Sequence, residues 1–129
     1  MSGGRQEALA ERTDAIEEAY EFFLAYASQG LPTESGQVRD FLQKFEKAVT
    51  GLGAFFTGHL AAIGVDEQPF RAFIEVIDRD GRDALAAVQM VLAQPSIHSQ
   101  MIDNLNANIH VRALLTDIFL IDEILKDRT

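Results

Sequence analysis

The chain contains no cysteine in its 129 residues. It therefore has no disulfide framework, no thiolate metal site and no cysteine nucleophile. Only three histidines are present, His59, His98 and His110, and none has a glutamate three residues before it, as helical di-metal carboxylate sites require. The His-Glu-x-x-His spacing of zinc proteases is also absent. We expect no metal site and no cofactor.

Long apolar runs are missing as well. No segment is long enough to span a membrane, and residues 1–12 lack the apolar run of a secretory signal, so we expect a cytoplasmic protein without a membrane partner. The formal net charge is −9. Because negative charge repels phosphate backbones, we expect no nucleic-acid partner. Residues 30–64 carry three acids and three bases, so this neutral segment is the least repelled by a second copy.

Familiar catalytic and ion-binding motifs do not occur. A calcium loop centred on the acidic run 78–83 would begin at Val76 and end at Ala87, neither of which supplies a carboxylate. The sequence Gly51–Gly53 follows no predicted strand and lacks the lysine of a phosphate-binding loop. A nucleophile-elbow motif is absent, and no serine has a persuasive catalytic base nearby in the sequence. We predict no catalytic residues and no enzymatic activity.

The stretch around which the chain is organised is Val111–Leu125, in which ten of fifteen residues are apolar. At 100° per residue these side chains cover most of the circumference, and Arg112, Thr116 and Glu123 share a narrow polar strip. A helix that is apolar nearly all round is enclosed by other helices. We therefore predict that this stretch is the central helix of a bundle.

Four amphipathic segments with three- and four-residue apolar spacing predict the fold. They cover residues 5–29, 38–63, 70–93 and 97–125, and glycine or proline separates each from the next. Short loops favour antiparallel neighbours, so we predict a single-domain, all-α, up-down-up-down four-helix bundle over residues 1–129. Residues 1–4 are predicted to be a flexible N-terminus and residues 127–129 a tail.

The second and third predicted helices each contain a possible break. Gly51 and Gly58 lie on a small-residue side of the second helix, which favours close contact with a neighbouring backbone; a bend at Gly51–Gly53 is the alternative. We favour close packing because the apolar periodicity continues past the glycines. In the third helix Asp80-Gly81 signals a turn, but the constant phase favours one continuous helix, and we favour continuity.

The last predicted helix contains a shift of the apolar stripe by about half a turn. A break near Asn106 explains the shift, because asparagine favours turns, and we prefer this reading. Without a break, one polar set would line a pocket in the bundle: Gln100, Asp103, Asn104 and His110. An apolar strip would then be exposed as an interface, together with Gly51 and Gly58: Ile97, Met101, Leu105 and Ile109.

The segment His59-Leu60-Ala61-Ala62-Ile63-Gly64 resembles the phosphorylated segment of phosphotransfer (HPt) domains, which are small acidic four-helix bundles. In that family a histidine in mid-helix is followed by a lysine and then by a glycine. Here Ala62 stands at the lysine position, Gly64 comes one residue late, and His59 faces inward by phase. The resemblance implies the bundle architecture, and phosphotransfer through His59 is kept as a third functional hypothesis.

The leading functional hypothesis is an interaction module, a small adaptor, accessory or regulatory protein that acts through protein contacts. With 47% hydrophobic residues and nine phenylalanines, the chain has apolar surface enough to extend its core across a two-fold interface, so we expect a homo-oligomer, a dimer in the simplest case. The alternative is a ligand- or cofactor-binding bundle whose pocket lies around His110.

Overall fold

The structure is a computed structural model that describes the backbone of residues 2–126 and the side chains of residues 8–126. In that range the chain forms six α-helices, a short 3-10 helix and no β-strand. The all-α prediction is confirmed, but six helices replace the four predicted. In chain order they are α1 (Ser2–Ser28), α2 (Val38–Val49), α3 (Leu52–Ile63), α4 (Arg71–Leu92), α5 (Ser99–Ala107) and α6 (Ile109–Leu125), with the 3-10 helix at Gln68–Phe70.

The predicted ends of the chain fall at the limits of the description. Helix α1 begins at Ser2, so it includes most of the segment 1–4 that the sequence suggested would be flexible. Met1 and the predicted tail 127–129 lie outside the described residues. Between these limits the buried apolar side chains of all six helices form one hydrophobic core.

The second predicted helix is broken, and the prediction of close packing along it is wrong. Thr50 is extended with ψ 120°, and Gly51 is left-handed with φ 74°, a conformation that disfavours residues with a Cβ atom. Gly51 and Ala54 are exposed, and Gly58 is half-buried. The small-residue side of this segment is therefore open to solvent at Gly51 and Ala54.

The third predicted helix is continuous, as we expected. Helix α4 runs from Arg71 to Leu92, through the Asp80-Gly81 pair that suggested a break. Gly81 is buried, and a Cβ atom there would lie 3.2 Å from Cγ1 of Val49 and 3.9 Å from Cδ1 of Leu114. A side chain at position 81 would crowd Val49 of α2, which explains why glycine stands where α4 packs between α2 and α6.

The last predicted helix is broken, which confirms the preferred reading. Asn108 separates α5 from α6 with an extended ψ of 129°, and its Oδ1 accepts a hydrogen bond of 3.0 Å from the backbone N–H of His110. The side chain thus caps the first turn of α6, as asparagine commonly does. At the start of α5, Nδ1 of His98 accepts a bond of 3.3 Å from the N–H of Met101.

Helix α6 is not the enclosed centre that the sequence suggested. It packs mainly against α4, whereas α1 packs against α2, α3 and α5. One side of α6 enters the core through Val111, Leu114, Leu115, Ile118, Ile121 and Leu125. Its opposite side is in solvent, so the helix is amphipathic in spite of its apolar composition.

Two arginines cap the C-terminal ends of other helices. Nη1 of Arg12, on α1, donates a 2.6 Å hydrogen bond to the carbonyl of Thr50 at the end of α2, and its guanidinium lies 3.7 Å from the ring centroid of Phe55. Nη1 of Arg39, on α2, donates a 2.8 Å bond to the carbonyl of Leu92 at the end of α4. Both satisfy carbonyls that lack intrahelical partners.

Substitution of Gly51 tests whether the helix is broken there, because a break and a continuous helix predict opposite changes in the free energy of unfolding. Gly51→Ala should lower the free energy of unfolding by about 1 kcal/mol, because alanine is strained in the left-handed conformation. Gly51→Asn should lower it less, since asparagine tolerates that conformation. Urea denaturation measures both. In a continuous helix alanine would instead stabilise the chain, and that result would contradict the break.

Candidate functional site

The four residues predicted to line a pocket lie on the surface and do not form one. Gln100, Asp103, Asn104 and His110 are all exposed. Nε2 of Gln100 donates a 3.2 Å hydrogen bond to Oδ1 of Asn104, along the surface of α5. Nδ1 of His110 lies 3.6 Å from Oδ2 of Asp83 on α4. The break at Asn108 places this polar set in water, so it needs no buried partner.

The apolar strip predicted as an interface is mostly part of the chain's own core. Ile97 is fully buried, Leu105 is 4% exposed and Met101 is half-buried. Only Ile109 of this group is in solvent, at 72% exposed. The same break accounts for this correction, because it lets α5 turn its apolar side inward independently of α6.

Exposed apolar side chains are instead concentrated on α6. Phe119 is 51% exposed, Leu120 53% and Ile124 45%. They flank the narrow polar strip noted in the sequence, whose residues are also exposed. We call this surface the outer face of α6 and define it by seven residues: Ile109, Arg112, Thr116, Phe119, Leu120, Glu123 and Ile124.

A cleft of about 710 Å³ lies at one edge of this face, between α1, α3 and the C-terminal part of α6. We call it the His59 cleft. His59 is only 5% exposed, and burial lowers the pKa of its imidazole, which favours the neutral form. The other residues of the lining are Leu9, Ala10, Thr13, Glu17, Phe119, Asp122, Glu123 and Lys126.

Carboxyl groups dominate the charge of the His59 cleft. Burial, followed by repulsion from Glu17 and Asp14, raises the pKa of Asp122 to about 6. Burial is also the largest cause that raises the pKa of Glu17. Nζ of Lys126 forms an ion pair of 2.8 Å with Oε2 of Glu123. The cleft therefore concentrates negative charge that is partly removed from water.

A second pair of carboxyl groups joins α4 to α6. Burial, then a hydrogen bond with Asp80, raises the pKa of Asp117 to about 7. Two carboxylates cannot share a hydrogen bond unless one of them holds a proton. The raised pKa favours the protonated form of Asp117 between its ordinary value and about 7. Its Oδ2 atom is buried and has no hydrogen-bond partner.

No protein-family model, curated protein or solved structure matches this chain. Among the side chains of residues 8–126, no three of the histidine, cysteine, aspartate or glutamate type lie together as a metal site would require. None of the helices in the same range is long and apolar enough to cross a membrane. Two surfaces of the described residues are candidates for function, the outer face of α6 and the His59 cleft.

The apolar phase of the sequence predicts that His59 faces inward, but it does not identify the residues around it. Asp122 and Glu17 were the missing members of the cleft, and they come from helices at opposite ends of the chain. One signal was available, because at 100° per residue Asp117 and Asp122 fall within the predicted apolar arc of Val111–Leu125 and not with the polar strip. Acids within an apolar arc are partly buried when that arc packs.

The raised pKa values predict how stability depends on pH. For Asp117, the folded chain retains a proton that the unfolded chain has lost between the ordinary pKa of 3.8 and about 7. The free energy of unfolding therefore falls as the pH rises through this window. Above it, Asp117→Asn should stabilise the chain by about 1 kcal/mol, a value reduced for solvent screening of a partly exposed group.

The difference between Asp117→Asn and the wild type should shrink toward the acidic end of the same window, as measured by urea denaturation at a series of pH values. Asp103→Asn, at an exposed position on α5, controls for the change in net charge. A constant difference across the window, or a destabilised Asp117→Asn at alkaline pH, would contradict the protonated pair.

Proposed function

We propose that the chain is a non-catalytic interaction module, of the adaptor, accessory or regulatory kind, that pairs with a second copy through the outer face of α6. The observation that carries this proposal is the exposure of three large apolar side chains on one helix: Phe119, Leu120 and Ile124. Exposed apolar side chains clustered on one face are typical of protein contact sites.

The charges on this face fit a second copy in antiparallel orientation. Arg112 and Glu123 are eleven positions apart on α6, a separation of about 16 Å along the axis. A two-fold axis midway between them places each arginine opposite the glutamate of the other copy. The same axis places Thr116 opposite Phe119. An isologous interface makes each of these contacts twice.

Both charged groups are available for such contacts. Arg112 forms no ion pair with any residue of the described part of the chain. Glu123 pairs with Lys126 across one turn, but both side chains are more than half exposed. Exposed ion pairs contribute little to stability, so Glu123 can turn to a partner at small cost. Arg112 also offsets, at this face, the repulsion between two chains of net charge −9.

The size of the face sets the expected affinity. Helix α6 has 17 residues and is about 25 Å long. A single helix face of this length buries less than the roughly 800 Å² per partner of standard interfaces. We therefore expect a reversible dimer with a micromolar dissociation constant.

The two other hypotheses have less support from the geometry. A pocket around His110 would need side chains that converge, whereas the four residues named for it are exposed. Phosphotransfer through His59 would need an imidazole on the surface, where the active site of a donor protein can reach it, and this one is 5% exposed at the wall of a cleft. The outer face of α6 is already exposed, and only Glu123 has to turn, away from Lys126, when two copies meet.

Charge reversal tests the pairing directly. Arg112→Glu should weaken the dimer, because acids of the two copies would then face each other, and Glu123→Arg should weaken it by placing arginines together. The double variant Arg112→Glu/Glu123→Arg should restore pairing, since opposite charges meet again. We expect the single changes to weaken association at least about tenfold, which sedimentation velocity measures over a concentration series.

Arg79→Glu, an exposed arginine on α4, is the matched control for net charge and should weaken pairing less. A wild-type chain that stays monomeric at high concentration would rule out self-association. A double variant that pairs as poorly as the single variants would rule out the antiparallel arrangement.

A further inference from the structure

Among the residues that the structure describes, neither ring nitrogen of His59 has a hydrogen-bond partner. Nδ1 is buried and unpartnered, and Nε2 bonds to none of the described residues. A neutral imidazole has one donor and one acceptor, and buried polar groups normally have partners. An unpartnered ring that is 95% buried, at the wall of an open cleft, points to a ligand there.

The charge of the lining indicates that the ligand is positively charged. Lys126 is paired with Glu123, whereas Glu17 and Asp122 form no ion pair with any part of the chain that the structure describes. Two carboxyl groups that lack a cation and are partly withdrawn from water attract positive charge and repel anions.

The apolar part of the lining selects the kind of cation. The ring of Phe119 can stack against an organic body or attract a cation to its face, and Leu9 is a buried apolar contact. The volume of about 710 Å³ lies within the range of small-molecule sites. An inorganic ion would leave most of this volume and apolar surface unused.

We propose that the His59 cleft binds a small organic ammonium ion. Its charge lies by Glu17 and Asp122, its nitrogen or an adjacent polar atom bonds to His59, and its apolar body contacts Leu9 and Phe119. This site shares Phe119 and Glu123 with the outer face of α6, but it does not require two copies to pair.

The test titrates 2-phenylethylammonium into the isotope-labelled full chain and follows the backbone amide and His59 imidazole signals by NMR. 2-Phenylethanol, a neutral analogue of nearly the same shape, is titrated in parallel. We expect saturable shifts around His59 with the ammonium probe and not with the alcohol. The Arg112→Glu variant should bind the ammonium probe as the wild type does, which separates this site from self-association.

Three variants test the assignment of residues. Asp122→Asn should weaken binding at least about tenfold, because it replaces a charge-assisted contact by a neutral one. His59→Leu should also weaken binding while keeping the apolar packing of the site. Asp103→Asn, at an exposed acid on α5, should leave binding unchanged. The unliganded spectrum of each variant establishes that it is folded.

Three results would overturn the proposal. The first is the lack of saturable shifts at millimolar concentrations of the ammonium probe. The second is equal binding of the neutral alcohol, which would remove the role of charge. The third is equal weakening by Asp122→Asn and Asp103→Asn, which would reduce the effect to attraction by an acidic protein.

Discussion

The change of helix direction at Asn108 is the constraint on which the arrangement of the C-terminal half depends. Its extended backbone and its side-chain cap on His110 separate α5 from α6. Each helix can then turn its own apolar side inward. Ile97 and Leu105 enter the core, and α6 is left with a solvent-facing side. Both proposed contact surfaces exist because of this separation.

The charges of α6 follow from the way it packs. Asp117 meets Asp80 of α4 at one edge of the buried side, and Asp122 meets Glu17 of α1 at the other. Burial raises the pKa of both aspartates, so both edges carry carboxyl groups whose ionisation is unfavourable. An organic cation in the His59 cleft would offset the negative charge of Asp122 and Glu17 at one of these edges. The outer face of α6 carries both Arg112 and Glu123, so two copies in antiparallel orientation can bring opposite charges together.

The sequence predicted the helical class, the continuity of α4 and the break near Asn106. In each case the spacing and phase of the apolar residues indicate whether a helix is present and whether it continues. It was insufficient at Gly51, since the apolar phase continues through the turn and hides it. It also overstated the enclosure of α6, because a wide apolar arc does not reveal how many neighbours are available to cover it. The helix caps of Arg12 and Arg39 join segments that are distant in the sequence, and so does the His59 cleft. No local sequence pattern predicts them.

The most direct test of the account uses single introduced thiols, which are unique reporters in a chain without cysteine. Leu120→Cys and Leu105→Cys are compared for their rate of reaction with a thiol reagent in dilute folded protein. The account predicts that Leu120→Cys reacts almost as fast as an unfolded thiol, whereas Leu105→Cys reacts only when the chain opens. Fast reaction at position 105 with protection at position 120 would contradict it, because that is the pattern of an unbroken C-terminal helix.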